Sequence, residues 1–274
     1  KTDGTLWIWG INRYGTLGLN DRISRSSPTQ IPGTSWKQVT SGQQEEYQGL
    51  KTDGTLWSWG LANLGLNQPG NNLKSSPNQI PGTTWASVYS DVDSNAHFAT
   101  KTDGTLWYWG EYKSGASGQG VPSARFTSLF GSDVSSPIQI PGTKWSSDVS
   151  HLSCHTQGVL AIKTDGTLWS WGENSRGRLG LSDRYAEPSA SPRQVGSDNN
   201  WDSVAMGQYH ASATKNDGTI WTWGLNNQGQ LGHNTADGTS YSSPVQVPAT
   251  GFGWGKLGRL GSQSSMRAFK TVND

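Results

Sequence analysis

Cysteine is nearly absent from this chain of 274 residues: Cys154 stands alone, so no disulfide can form within it. Charge is scarce as well. Only 15% of residues are charged, and 21 basic side chains balance 20 acidic ones to a net +1. Nucleic-acid binders carry a concentrated basic footprint, and without one a nucleic-acid partner is not expected. No apolar run approaches the ~18 residues that would cross a membrane as a helix. Two methionines and five phenylalanines stand against 36 glycines and 15 tryptophans. Many turns joined to many aromatic strands predict an all-β chain.

Those tryptophans recur in a fixed frame. KTDGTLWIWG at Lys1 returns from Lys51, Lys101 and Lys163, and as KNDGTIWTWG from Lys215. A Ser-Pro pair follows each copy, at Ser27-Pro28, Ser76-Pro77, Ser136-Pro137, Ser191-Pro192 and Ser243-Pro244. Another tryptophan comes 8 to 10 residues later, at Trp36, Trp85, Trp145, Trp201 and Trp254. Asp-Gly between extended runs predicts a tight hairpin with positive φ at both central positions. Beyond it, Thr5, Trp7 and Trp9 share one strand face while Leu6 and Ile8 share the other, so both faces are apolar and a sheet lies on each side. The Gln-Ile-Pro-Gly segments read as strands stopped by proline, which belongs at a sheet edge. About four strands per unit is the size of a propeller blade.

The pattern DGTLWxWGxNxxGxLG, then SPxQxPG, then WxxVxxGxxHxxAxK resembles the regulator of chromosome condensation repeat along essentially the whole chain. The fifth unit follows it most fully, from Asp217 to Pro248, after Val204 to Lys215. Before the second unit the Gly-x-x-His element of Gly207–His210 becomes Gly42-Gln43-Gln44-Glu45. The resemblance implies a β-propeller. We expect a single repeat domain over residues 1–274, with units starting near 1, 51, 101, 163 and 215. We expect five four-stranded blades, the ring closed by the N-terminal strand joining the C-terminal blade.

Three framework tryptophans per unit account for all fifteen, among them Trp7, Trp9, Trp57, Trp59, Trp107, Trp109, Trp169, Trp171, Trp221 and Trp223. None is left for stacking a sugar or sensing light, and the Gly-Trp-Arg-His-Thr signature of light-sensing relatives is absent. His151, Cys154 and His155 are close in sequence, but four strand residues span roughly 13 Å, far beyond zinc–ligand bonds of about 2 Å. Glu45 and Glu46 are strand neighbours facing opposite ways. No catalytic site, metal or cofactor is expected.

What varies is the loop from the Trp-Gly pair to the Ser-Pro pair, spanning 18, 17, 27, 20 and 20 residues. The long third loop carries Arg125, Phe126, Leu129 and Phe130, with Tyr112 at its start. Arginine with aromatics is the chemistry of interface hot spots, and insertions in repeat proteins gather on the binding face. The competing reading folds these residues back over a blade edge or the propeller hub. Tyr185 and Tyr241 hold equivalent places in the next two loops. The expectation is a non-catalytic protein-binding scaffold. The alternative is a structural or adhesive component of a virus particle or bacterial surface, with glycan as a possible ligand. Low charge and near-identical repeats favour an extracellular or virion-surface setting.

Overall fold

The computed structural model describes the chain except residues 44, 62, 69–72, 92, 112–114, 121–132, 184–187, 237, 249–253, 258–267 and 271–274. It divides into two compact units. The first holds Lys1–Tyr112 with Phe126–Thr143, the second Lys113–Arg125 with Lys144–Asp274.

In the first unit, β1 (Trp7–Gly10) and β2 (Arg25–Gln30) form a two-stranded antiparallel sheet. Strands β3 (Trp36–Ser41), β4 (Glu46–Lys51), β5 (Leu56–Gly60) and β6 (Lys74–Ile80) form a four-stranded sheet in that order. Another contains β7 (Trp85–Ser90), β8 (Ala96–Lys101), β9 (Leu106–Glu111) and β10 (Asp133–Ile140). In the second unit, β11 (Leu152–His155), β12 (Gly158–Ile162), β13 (Leu168–Gly172) and β14 (Ser189–Gln194) repeat the arrangement. So do β15 (Trp201–Met206), β16 (His210–Lys215), β17 (Ile220–Leu225) and β18 (Ser240–Gln246), followed by the pair β19 (Trp254–Leu257) and β20 (Ala268–Lys270). Each complete sheet therefore joins the end of one sequence unit to the start of the next.

Four of the five expected blades are complete sheets. The fifth appears as two separate pairs, and no ladder between β20 and β1 occurs among the described residues. Edge positions follow proline as expected. Strands β6 and β10 lie at the ends of their sheets and stop at Ile80 and Ile140, each just before a proline.

The hairpin differs from expectation. Gly54 N–H donates to Lys51 C=O at 3.1 Å, and Lys51 N–H to Thr55 C=O at 3.0 Å. Thr52 and Asp53 are thus the turn's centre. Gly54 alone takes positive φ, +78°, as the bulge residue of a three-residue hairpin. Asp53 Oδ1 accepts from Thr55 N–H at 2.9 Å and Thr55 Oγ1 at 2.7 Å, which leaves the threonine oxygen to accept from Trp57 Nε1 at 2.8 Å. The same chain recurs at Asp3, Asp103, Asp165 and Asp217.

Both strand faces are packed. Leu56 and Trp59 are fully buried, as are Leu106 with Trp109 and Leu168 with Trp171. Burying one indole removes roughly 200 Å² from water, at most about 5 kcal/mol. The third tryptophan of each set meets the others edge-on: Trp85 lies 6.1 Å from Trp107 at 78°, and Trp201 lies 6.0 Å from Trp221 at 75°. In the second unit the core runs from β12 and β13 into β15 and β17, through Leu160, Leu168, Val204 and Trp223.

Candidate interaction surface

In the first, fourth and fifth units the loop after the Trp-Gly pair is folded by one buried asparagine. Asn174 Nδ2 donates to Asp183 C=O at 2.8 Å, and its Oδ1 accepts from Leu179 N–H at 3.1 Å. Asn12 and Asn226 do the same with Leu17 and Leu231. The leucine thereby enters the core, fully buried at Leu179 and Leu231.

Arg178, in the fourth loop, is fully buried. Its guanidinium donates to the carbonyls of Glu173 at 2.9 Å, His155 at 3.3 Å and Thr156 at 2.6 Å, and to that of Gln208. It also pairs with the Glu173 carboxylate at 2.6 Å. One side chain thus fixes three loops.

In the first unit Glu46 and His97, both fully buried, approach to 3.7 Å. His97 also bonds Ser90 Oγ through Nδ1 at 2.9 Å and packs on Trp109 with centroids 5.7 Å apart. Burial pushes His97 down to about 3. His210 is held down to about 4, first by burial and then by the charge of His155. Glu46, not Glu45, takes the place of His210, since Glu46 pairs with Gly60 as His210 pairs with Gly224. The loop carries one residue more than Gly207–His210, so Glu45 takes the place of Tyr209, accepting from Leu61 N–H as Tyr209 accepts from Leu225, and it is exposed at φ +62°. Glu45 lies outside β4, so the two are not the expected strand neighbours; Glu46 is buried and Glu45 is exposed.

The sequence reading passed over the lysine of each KTDGT segment. Lys101 Nζ lies 4.7 Å above Trp85 and 4.0 Å above Trp107, and Lys51, Lys163 and Lys215 are sandwiched alike. Desolvation holds Lys163 below the usual lysine range. The signal was available, because a lysine and two tryptophans recur together in every unit.

Of the residues expected to contact a partner, Tyr112, Arg125, Phe126, Leu129, Phe130 and Tyr185 lie outside the described residues. Tyr241 is described. It is half-buried on β18, with its ring 5.4 Å from His233, which in turn bonds Thr222 Oγ1 at 2.9 Å. His151, Cys154 and His155 do not converge: β11 begins just after His151, Cys154 is buried, and the two histidines bond Ser146 and Thr156. Among the described residues no three His, Cys, Asp or Glu side chains gather as a metal site. No helix among them is long and apolar enough to cross a membrane.

The framework tryptophans are not equally covered. Trp59, Trp109, Trp171 and Trp223 are 0% exposed and Trp9 is 60% exposed. Beside β1 opens a groove of about 260 Å³ lined by Leu6, Ile8, Trp9, Val39 and Trp59, among others.

Antiparallel four-stranded sheets in register with a tryptophan-framed repeat define a repeat protein of the β-propeller class. The family model for the regulator of chromosome condensation (RCC1) repeat matches residues 3–44, 165–214 and 217–251, and a second model of that repeat matches 201–230. The chain carries repeats of the RCC1 family.

It is 37% identical over 101 residues to the probable E3 ubiquitin-protein ligase HERC3 of Homo sapiens, across 36% of this chain and 9% of that protein. It is 30% identical over 103 residues to the RCC1 domain-containing protein RUG3, mitochondrial, of Arabidopsis thaliana, across 37% of this chain and 23% of that one. Among solved structures, Prp20p of Saccharomyces cerevisiae, described with its binding to Gsp1p and histones, superposes with a TM-score of 0.74 at 19% identity. That likeness covers 93% of this chain and 63% of that one. The chain thus spans less than two thirds of each.

These relatives overturn the expected extracellular or virion-surface setting, since one is mitochondrial and another is described by its binding to histones. The structural or adhesive virion role loses its support with it. Low charge and near-identical repeats belong to the tryptophan-and-turn framework that all five units share, and carry no record of compartment.

Proposed function

We propose that the chain is a non-catalytic protein-binding scaffold that contacts its partner through the loops between blades. The observation that carries this reading is the division of labour within the repeat. The strand framework is nearly constant across the five units, and buried polar side chains such as Asn174 and Arg178 hold the base of the loops in place. The loops differ, and the third is longest at 27 residues against 17 to 20 elsewhere. Surface loops on a rigid scaffold are where binding residues concentrate. The ligase activity named for HERC3 belongs to a protein of which the match spans 9%.

Arg125, Phe126, Leu129 and Phe130 are the proposed contacts in the third loop. The test is binding of Phe126→Ala with Phe130→Ala against the unaltered chain, with Gsp1p and histones as the first purified probes. Loss of binding at unchanged melting temperature is expected. Normal binding, or an early melt, removes the loop from the interface.

A further inference from the structure

Two seams between neighbouring sheets, one inside each unit, are built on the same plan. Strands β3 and β4 pack on β7, and β11 and β12 pack on β15. The ladders put three places in correspondence. Glu46 pairs with Gly60 as Gly158 does with Gly172, and His97 pairs with Trp109 as Ala211 does with Trp223. Ser90 pairs with His97 as Met206 does with Ala211. Glu46, Ser90 and His97 of the first seam therefore hold the places of Gly158, Met206 and Ala211 in the second. All six are buried.

The two sets are opposite in chemistry. In the first, the Glu46 carboxyl comes within 3.7 Å of His97 Nε2, and His97 Nδ1 bonds Ser90 Oγ at 2.9 Å. In the second, Gly158 leaves room that Met206 and Arg178 fill: an added Cβ would stand 3.0 Å from the Met206 sulfur and 3.1 Å from Arg178 Nε. Arg178 also crosses that seam to the Gln208 carbonyl. The strands beside these places carry no such distinction. The decapeptide KTDGTLWSWG, which supplies β5 and β13, is identical at Lys51 and Lys163. A chain of such repeats is exposed to docking a sheet on the wrong neighbour, within itself or in a second copy. Joining β3–β6 to β15–β18 would bury Glu46 against Met206 and Ala211 and deprive the Gln208 carbonyl of Arg178. Setting β11–β14 in the place of β3–β6 would leave Ser90 and His97 facing Gly158. Burying a polar group without its partner costs far more than the matched pair gains.

We propose that Glu46, Ser90 and His97 act as an address, selecting the β3–β6 sheet as the neighbour of β7–β10 and rejecting the otherwise similar sheets of this chain or of a second copy. The logic is that of a single buried polar residue fixing register in a coiled coil. The set adds little to stability, because an apolar set already serves the same places in the second seam.

Refolding fidelity of the full chain tests this. Isotopically light and heavy chains are unfolded together in urea and refolded. Native mass spectrometry then counts particles carrying both labels, against the same chains mixed after folding. Wild type should give no excess, and an excess from wild type overturns the proposal. Glu46→Gly with Ser90→Met and His97→Ala writes the second set into the first seam. This triple variant should unfold at the wild-type urea concentration or a higher one, since well-packed apolar residues commonly replace buried polar sets without loss. It should nonetheless give at least about tenfold more mixed particles, because the cost of a mismatch is gone. Glu46→Gln keeps a polar group of the same size and should refold like wild type. A triple variant that refolds faithfully overturns the proposal, because the set is then not read. One that unfolds earlier, or does not fold, overturns it as well, since the set then holds the seam together rather than choosing its neighbour. Glu46→Gln mixing as much as the triple variant also overturns it, because any change at the seam would then suffice.

Discussion

Gly180 and Gly232 hold the same place in successive repeats, both at φ +72°, and replacing each with alanine separates two costs. A Cβ at Gly180 would stand 2.9 Å from Trp223 Nε1 and 3.2 Å from both Trp223 Cε2 and Val195 Cγ1. At Gly232 the nearest atom is Val247 Cγ1 at 3.5 Å, an ordinary contact. Both substitutions force a Cβ into left-handed backbone, at roughly 1–2 kcal/mol. Only Gly180→Ala must also displace a fully buried indole that is bonded to the Arg178 carbonyl. Overpacking adds about 1–3 kcal/mol, and weakening that bond up to about 1 kcal/mol. We expect Gly180→Ala to lose roughly 3–4 kcal/mol and Gly232→Ala roughly 1–2 kcal/mol. Urea unfolding at low concentration, followed by tryptophan fluorescence and circular dichroism, reads the difference if the urea dependence is unchanged. Equal losses at the two sites would refute the argument, because close approach of the indole would then contribute nothing.

Arg178→Met should cost on the order of 3–5 kcal/mol, because it strips the donors from buried carbonyls of His155, Thr156 and Gln208. Thermal melting checks it, and an unchanged midpoint counts against the role. Lys101→Met should cost about 1 kcal/mol through the lost cation–π contacts with Trp85 and Trp107. Equilibrium denaturation equal to wild type would mean the ammonium contributes nothing. Stability should also fall with acid. His97 and His210 titrate near 3 and 4 when folded but near 6.5 when unfolded. The unfolded chain therefore takes up protons first, and stability drops as pH falls from about 6.5 towards 4, by up to about 2.7 kcal/mol per pH unit when both count. Melting from pH 8 to 4 should show that slope, and His97→Gln with His210→Gln should flatten it. A wild-type profile flat over that range would sink the assignment.

The amino-acid sequence by itself determined the unit of this fold. The period of KTDGTLWxWG, its alternation and its prolines place the strands, their two packed faces and the edge strands β6 and β10 correctly, because each is a local property of a strand or turn. The turn's type was only half legible. Asp-Gly marks a hairpin, but the hydrogen bond from Gly54 to Lys51 decides that the glycine is the bulge. Tertiary structure decided what covers each face. Trp9 and Trp59 sit in the same decapeptide frame, yet one is 60% exposed and the other buried, because Trp59 is packed by Trp36 and Tyr47 of its own sheet and by the loop at Thr16, whereas β1 pairs only with β2. It also decided that Glu46 rather than Glu45 takes the histidine's place, since one extra loop residue shifts the register. The Lys101 sandwich likewise needs two tryptophans from different strands to meet. A repeat encodes its own strand chemistry, whereas burial depends on a neighbour that no local pattern names.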